Sequence, residues 1–127
     1  MSIPKILGIE TEYGIIATGV DSNPITASSL LINSYVSRFD ASIGWDFDAE
    51  MPGSDARGFN LDDVFPPDIE MNMVNTVLTN GARYYVDHAH PEVSTPECRF
   101  VSEAVLFDRA GEEIVRQSML EAKKVLP

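Results

Sequence analysis

Apolar and polar residues change their spacing several times along the chain, and each change marks an element. From Lys5 to Thr18, Ile6, Leu7, Ile9, Ile15 and Ile16 surround Glu10 and Glu12, with Gly8 and Gly14 as punctuation. Alternation of this kind predicts one or two strands. Asp21 to Pro24 reads as a turn. Leu31, Ile32, Tyr35, Val36 and Phe39 recur at helical spacing, which predicts a helix over Ser28 to Phe39 capped by Thr26 or Ser28. Met73 to Leu78 and Ala82 to Asp87 flank Thr79-Asn80-Gly81, a strong hairpin signal. After His90-Pro91-Glu92 the chain is expected to turn through Ser94, Thr95 and Pro96. A final helix is predicted from about Ser102, interrupted near Gly111, with Val115, Met119, Ala122, Val125 and Leu126 as its apolar stripe. Glu112, Glu113, Arg116, Lys123 and Lys124 suit its dipole and solvated face. Together these elements predict an α+β fold, a mostly antiparallel sheet with helices on one side.

Between Asp40 and Glu70 the pattern disappears. Nine acidic residues stand there against Arg57 alone, among Pro52, Gly53, Gly58, Pro66 and Pro67. Trp45, Phe47, Phe59 and Phe65 punctuate this acidic stretch. It reads as a loop insertion, either plainly solvated or used in gating and recognition. The whole chain of 127 residues carries a net charge of -11, which argues against binding to nucleic-acid phosphates. Hydrophobic content of 44% supports one real core. Cys98 is the only cysteine, which suits a reducing compartment. No apolar run is long enough to cross a bilayer, so a cytoplasmic protein with no membrane partner is expected.

The chemistry concentrates in two segments, residues 8–14 and 80–92. Alternate residues of a strand share a face. Glu10 and Glu12 therefore point the same way, as do Arg83, Tyr85 and Asp87, and the carboxylates converge if the first strand lies beside Ala82 to Asp87. Several carboxylates on one face repel unless cations or shared protons neutralise them. Magnesium with nucleotide phosphates is the usual resolution. Asp87 then has two roles open to it, deprotonating an amine or attacking an activated carbonyl. The plainer reading is a solvated strand face and a turn aspartate. His88, His90 and Glu92 alternatively suggest a zinc or iron site, although oxygen donors predominate. No P-loop, dinucleotide fingerprint or nucleophile-elbow serine is present.

Gly-Ile-Glu-Thr-Glu-Tyr-Gly at 8–14, Asn-Gly-Ala-Arg-Tyr-Tyr-Val-Asp-His-Ala-His-Pro-Glu at 80–92 and Ser-Thr-Pro-Glu-Cys at 94–98 resemble the family of enzymes that handle the prokaryotic ubiquitin-like protein Pup. That family belongs to the carboxylate–amine ligase superfamily, which includes glutamine synthetase. The Asp-His-Ala-His-Pro-Glu form and the stretch from Trp45 to Phe59 look more like its depupylase (Dop) branch than its PafA ligase branch. The resemblance implies a portion of a glutamine synthetase-like sheet, with residues 1–127 as the N-terminal part of a large catalytic domain and 40–70 as a Dop-type insertion. It implies Mg²⁺ and ATP, or ADP with phosphate, as cofactors. Glu10, Glu12, Tyr85 and Glu92 would surround the metals, Glu10, Glu12 and Tyr85 also meeting the nucleotide, with Glu97 as an outer member. Asp87 would be the catalytic aspartate, as nucleophile or activator of water. The implied reactions are deamidation of Pup's C-terminal Gln and hydrolysis of the Pup–lysine isopeptide bond. The implied partners are Pup, pupylated proteins and a C-terminal portion of the same enzyme. Pup ligation, or binding without turnover, are the alternatives. Val93 departs from the aromatic usual at that position, and the acidic loop is short for the family.

Overall fold

The computed structural model describes Ile3 and residues 5–18, 23–39, 43–44 and 74–126. Five strands and two helices follow in the order β1 (Glu10–Glu12), α1 (Pro24–Val36), β2 (Ile43–Gly44), β3 (Asn75–Val77), β4 (Arg83–Asp87), β5 (His90–Ser94) and α2 (Val101–Val125). The strands form one sheet of order β1-β5-β4-β3-β2, every pairing antiparallel. Both helices pack on the same side of it. The expected α+β layout with helices on one side is therefore present. The acidic stretch 40–70 lies outside the described residues, apart from the backbone of β2.

Two hairpins build the middle of the sheet. The first joins β3 to β4 through Thr79-Asn80-Gly81, where Gly81 takes φ +85° and the Asn80 side chain accepts the Ala82 N–H at 3.0 Å. The predicted Asn-Gly turn is thus a three-residue loop closed by a left-handed glycine. The second hairpin joins β4 to β5 through His88 and Ala89, both at positive φ, +44° and +66°. Sequence predicts no strand after Asp87 and a turn from Ser94, yet residues 90–94 form β5 and pair with both β4 and β1. Pro91 is unusual at this inner position, because proline argues against an inner strand. Here its carbonyl accepts the Tyr13 N–H at 2.9 Å, but it has no N–H to return, and β1 ends at Glu12. The first strand therefore lies beside β5 and not, as expected, beside β4.

The helix boundaries also shift. Neither Thr26 nor Ser28 caps α1. The Asn23 side chain accepts the Thr26 N–H at 2.8 Å, and Pro24 opens the helix. Ser28 is instead fully buried inside it. Helix α2 runs through Gly111 without a break. Glu103 secures its start by accepting the Arg99 and Phe100 N–H groups at 2.8 and 3.3 Å. Its buried stripe is Ala104, Gly111, Ile114, Val115, Ser118 and Ala122, whereas Met119 and Val125 of the expected stripe are exposed.

Ile25, Leu31 and Ile32 of α1 meet Tyr84, Val86 and Val93 of the sheet and Ile114 and Val115 of α2 in the core. Tyr84 lies at its centre, and its hydroxyl donates to Ser118 Oγ at 3.2 Å. Thr11 pins β1 to α2 by donating to Asp108 Oδ1 at 2.8 Å. Gly111 lets α2 approach β5: a Cβ there would stand 3.1 Å from Val93 Cγ1. Gly111→Leu should consequently push the helix off the sheet and destabilise the fold by about 1–3 kcal/mol. Urea denaturation of the two proteins measures this directly.

Candidate functional site

The face of the sheet opposite the helices carries the acidic residues, and strand register puts them in rows. Glu12, Glu92, Tyr85 and Asn75 are paired across β1, β5, β4 and β3. The neighbouring row runs Glu10, Ser94, Arg83 and Val77. Asp87 and His90 extend the same face where the second hairpin closes. Among the described residues no helix covers this side.

Two hydrogen-bonded groups occupy it. In one, the Tyr85 hydroxyl donates to Glu92 Oε1. Ser94 Oγ lies 3.1 Å from the Tyr85 oxygen and 3.4 Å from Glu10 Oε1, so its single proton serves one of two acceptors. The Arg83 guanidinium stacks 3.7 Å above the Tyr85 ring and donates through Nε to Asn75 Oδ1 at 3.0 Å. In the other group, His88 Nδ1 lies 3.2 Å from both Glu12 Oε1 and Asp87 Oδ2. His90 Nδ1 stands 3.9 Å from the same Glu12 oxygen. Glu12, Asp87 and His88 come close enough to share one cation.

Glu92 is 4% exposed. Burial, helped by the charges of Asp87, Glu10 and Glu12, pushes its carboxyl above the usual range, against the lowering effect of the Tyr85 bond. Burial also raises the Tyr85 hydroxyl, and its bond to Glu92 adds to that shift, so the phenol stays protonated and donating. Four carboxyl groups thus share one field.

Glu10, Glu12, Tyr85, Asp87 and Glu92, singled out from sequence, all reach this face. They arrive by a different strand pairing from the one expected. Glu97 is exposed and lies beyond β5, next to Cys98, whose backbone bridges Leu7. Ser94 and Asn75 were missed. Alternation of Pro91 and Val93 with Glu92 and Ser94 was the available signal for Ser94.

Because burial and neighbouring like charge both disfavour a charged Glu92, Glu92→Gln should stabilise the cation-free fold by about 0.5–1 kcal/mol. It should also weaken any Mg²⁺-induced rise in melting temperature. Thermal unfolding with chelator and with Mg²⁺ separates the two effects.

The family described as Pup-ligase protein matches residues 5–127. A depupylase from Acidothermus cellulolyticus is 43% identical over 93% of this chain. A Pup deamidase/depupylase from Mycolicibacterium smegmatis is 42% identical over 87% of it. A Pup–protein ligase from Bifidobacterium longum is 31% identical over 96%. The chain spans 25%, 24% and 19% of the length of these three relatives.

Proposed function

Because this chain belongs to the Pup-ligase protein family, we propose that it forms part of an amide and isopeptide hydrolase acting at the C-terminal Gln or Glu of Pup. The reading rests on one observation: four relatives named for depupylation or Pup deamidation share 41–43% identity with it, whereas four named Pup ligases share 30–31%. The reactions are deamidation of Pup and cleavage of its bond to a target lysine. The sheet is read as a portion of a glutamine synthetase-like catalytic domain, residues 1–127 as its N-terminal part, residues 40–70 as a Dop-type insertion, and the setting as cytoplasmic. Most of the relatives' length lies outside the match, so activity is assigned to this segment together with a C-terminal portion of the same enzyme.

The donor chemistry fits Mg²⁺ with a nucleotide. Glu10, Glu12 and Glu92 offer hard oxygen ligands on one face, and a buried carboxyl with a raised pKa is the group a divalent cation would relieve. Tyr85 would stand beside the metal as a neutral oxygen already bound to Glu92. Magnesium with ATP, or with ADP and phosphate, would neutralise this face and polarise the scissile carbonyl.

The chain's own residues supply the rest. Asp87 sits at the rim of the face, with its carboxylate held by His88. In one version an Asp87 oxygen bonds the carbonyl carbon, and ammonia or the lysine amine leaves once it has gained a proton. Water then cleaves the acyl bond and restores the carboxylate. In the other version Asp87 takes a proton from the attacking water. His88, between Asp87 and Glu12, fixes which carboxylate oxygen faces the carbonyl. The ligase reading keeps the same residues, with Asp87 as base toward the lysine amine.

Gln-ended Pup, incubated with Mg²⁺–ATP and the enzyme carrying this segment, should show an amide-to-acid change in intact mass. Asp87→Asn should reduce that turnover at least ~10³-fold. Pup left unchanged by a folded enzyme, with Glu-ended Pup joined to lysine instead, would transfer the assignment to ligation.

A further inference from the structure

Ser28 is fully buried in α1, and its hydroxyl donates to the Ala89 carbonyl at 2.9 Å. Helical serines commonly bond back along their own helix. Ser34 and Ser118 do so, donating to Leu30 and Ile114 at 2.7 and 2.8 Å. Ser28 reaches across to the sheet instead. Its target is the second central residue of the β4–β5 turn.

That turn is an improbable one for its sequence. A two-residue hairpin of this shape needs positive φ at both central positions and is usually built from Asn-Gly. Here His88 and Ala89 adopt it, at +44° and +66°. A side chain with a Cβ resists this region, so surrounding structure has to hold it there. The turn also aims the site: Asp87 precedes it, and His88 within it lies 3.2 Å from both Asp87 and Glu12.

We propose that Ser28 is a positioning residue, whose hydrogen bond to Ala89 clamps the His88–Ala89 turn in the conformation that sets His88 between Glu12 and Asp87. The activity part of its test rests on the hydrolase reading above. The spectroscopic part does not.

Ser28→Ala is compared with Ser118→Ala, which removes an equally buried hydroxyl, at Tyr84, away from the cluster. Ala89→Gly is added to each, since glycine accepts the positive φ without a clamp. Turnover of Gln-ended Pup and the NMR shifts of the His88 ring are read in the whole enzyme. Ser28→Ala should lower kcat about 10- to 100-fold, leave KM within about twofold, and move the His88 signals. Ser118→Ala should leave kcat and the His88 signals essentially unchanged. Ala89→Gly should return the Ser28→Ala enzyme to within about threefold of the parent and restore the ring shifts. Ser28→Cys, close in volume but a weaker donor, substitutes for Ser28→Ala if the latter fails to fold.

Equal effects of the two serine substitutions, or no rescue by Ala89→Gly, would overturn the clamp. A parent enzyme that leaves Pup untouched while the His88 signals follow the described pattern would keep the clamp and remove the hydrolase reading.

Discussion

The pairing of Asp87 with His90 across the His88–Ala89 turn is the constraint from which the acidic face follows. Once that pair is set, Glu92 must lie opposite Tyr85, and Ser94 opposite Arg83. β1 then docks on β5 with Glu12 beside Glu92 and Glu10 beside Ser94. A slip by one residue would exchange the two faces of β5. Glu92 would then enter the core, and Val93 would leave it. The helix side opposes such a slip: Val93 touches the space left by Gly111, and Tyr84 is held by Ser118.

The two sides of the sheet answer to different physics. On the helix side, burial of Ile32, Tyr84, Val86 and Ile114 supplies the cohesion. On the other side, four carboxylates are gathered where one of them is nearly shut off from water. Such a face is costly until opposite charge arrives, and the Arg83 guanidinium is engaged with Tyr85 and Asn75. The surface pairs on α2, Arg109–Glu112, Arg116–Glu113 and Lys124–Glu121, are exposed and add little stability. Arg116 and Gln117 nonetheless draw the Glu113 carboxyl down to about 2.

Much of this was legible in residue order. The alternation around Glu10 and Glu12 and the run from Arg83 to Asp87 identified the acidic face, because period-two patterning survives any choice of neighbour. Which strands pair is a non-local matter that this patterning leaves open: β1 takes β5, not β4, as its neighbour. Pro91 is an atypical residue for the inner strand β5, and its missing N–H falls where β1 stops. Gly111 was read as a helix break, since propensity says nothing of a strand that needs room. Ser28 passed for a cap by its residue type, and only the fold shows its hydroxyl crossing to Ala89.

The position of β1 has a consequence for how the molecule comes together. β3, β4 and β5 are joined by short turns and can pair as soon as they are made. β1 reaches β5 only by closing a loop of more than eighty residues, as the Ile9–Thr95 bond spans 86 positions. It also lies at the edge of the described sheet. The meander is therefore the sequence-local part of the sheet, and β1 joins it from far along the chain. Glu10 and Glu12 reach Glu92 only when that long loop closes, so the acidic face is the part of the sheet that pairing between chain neighbours cannot build.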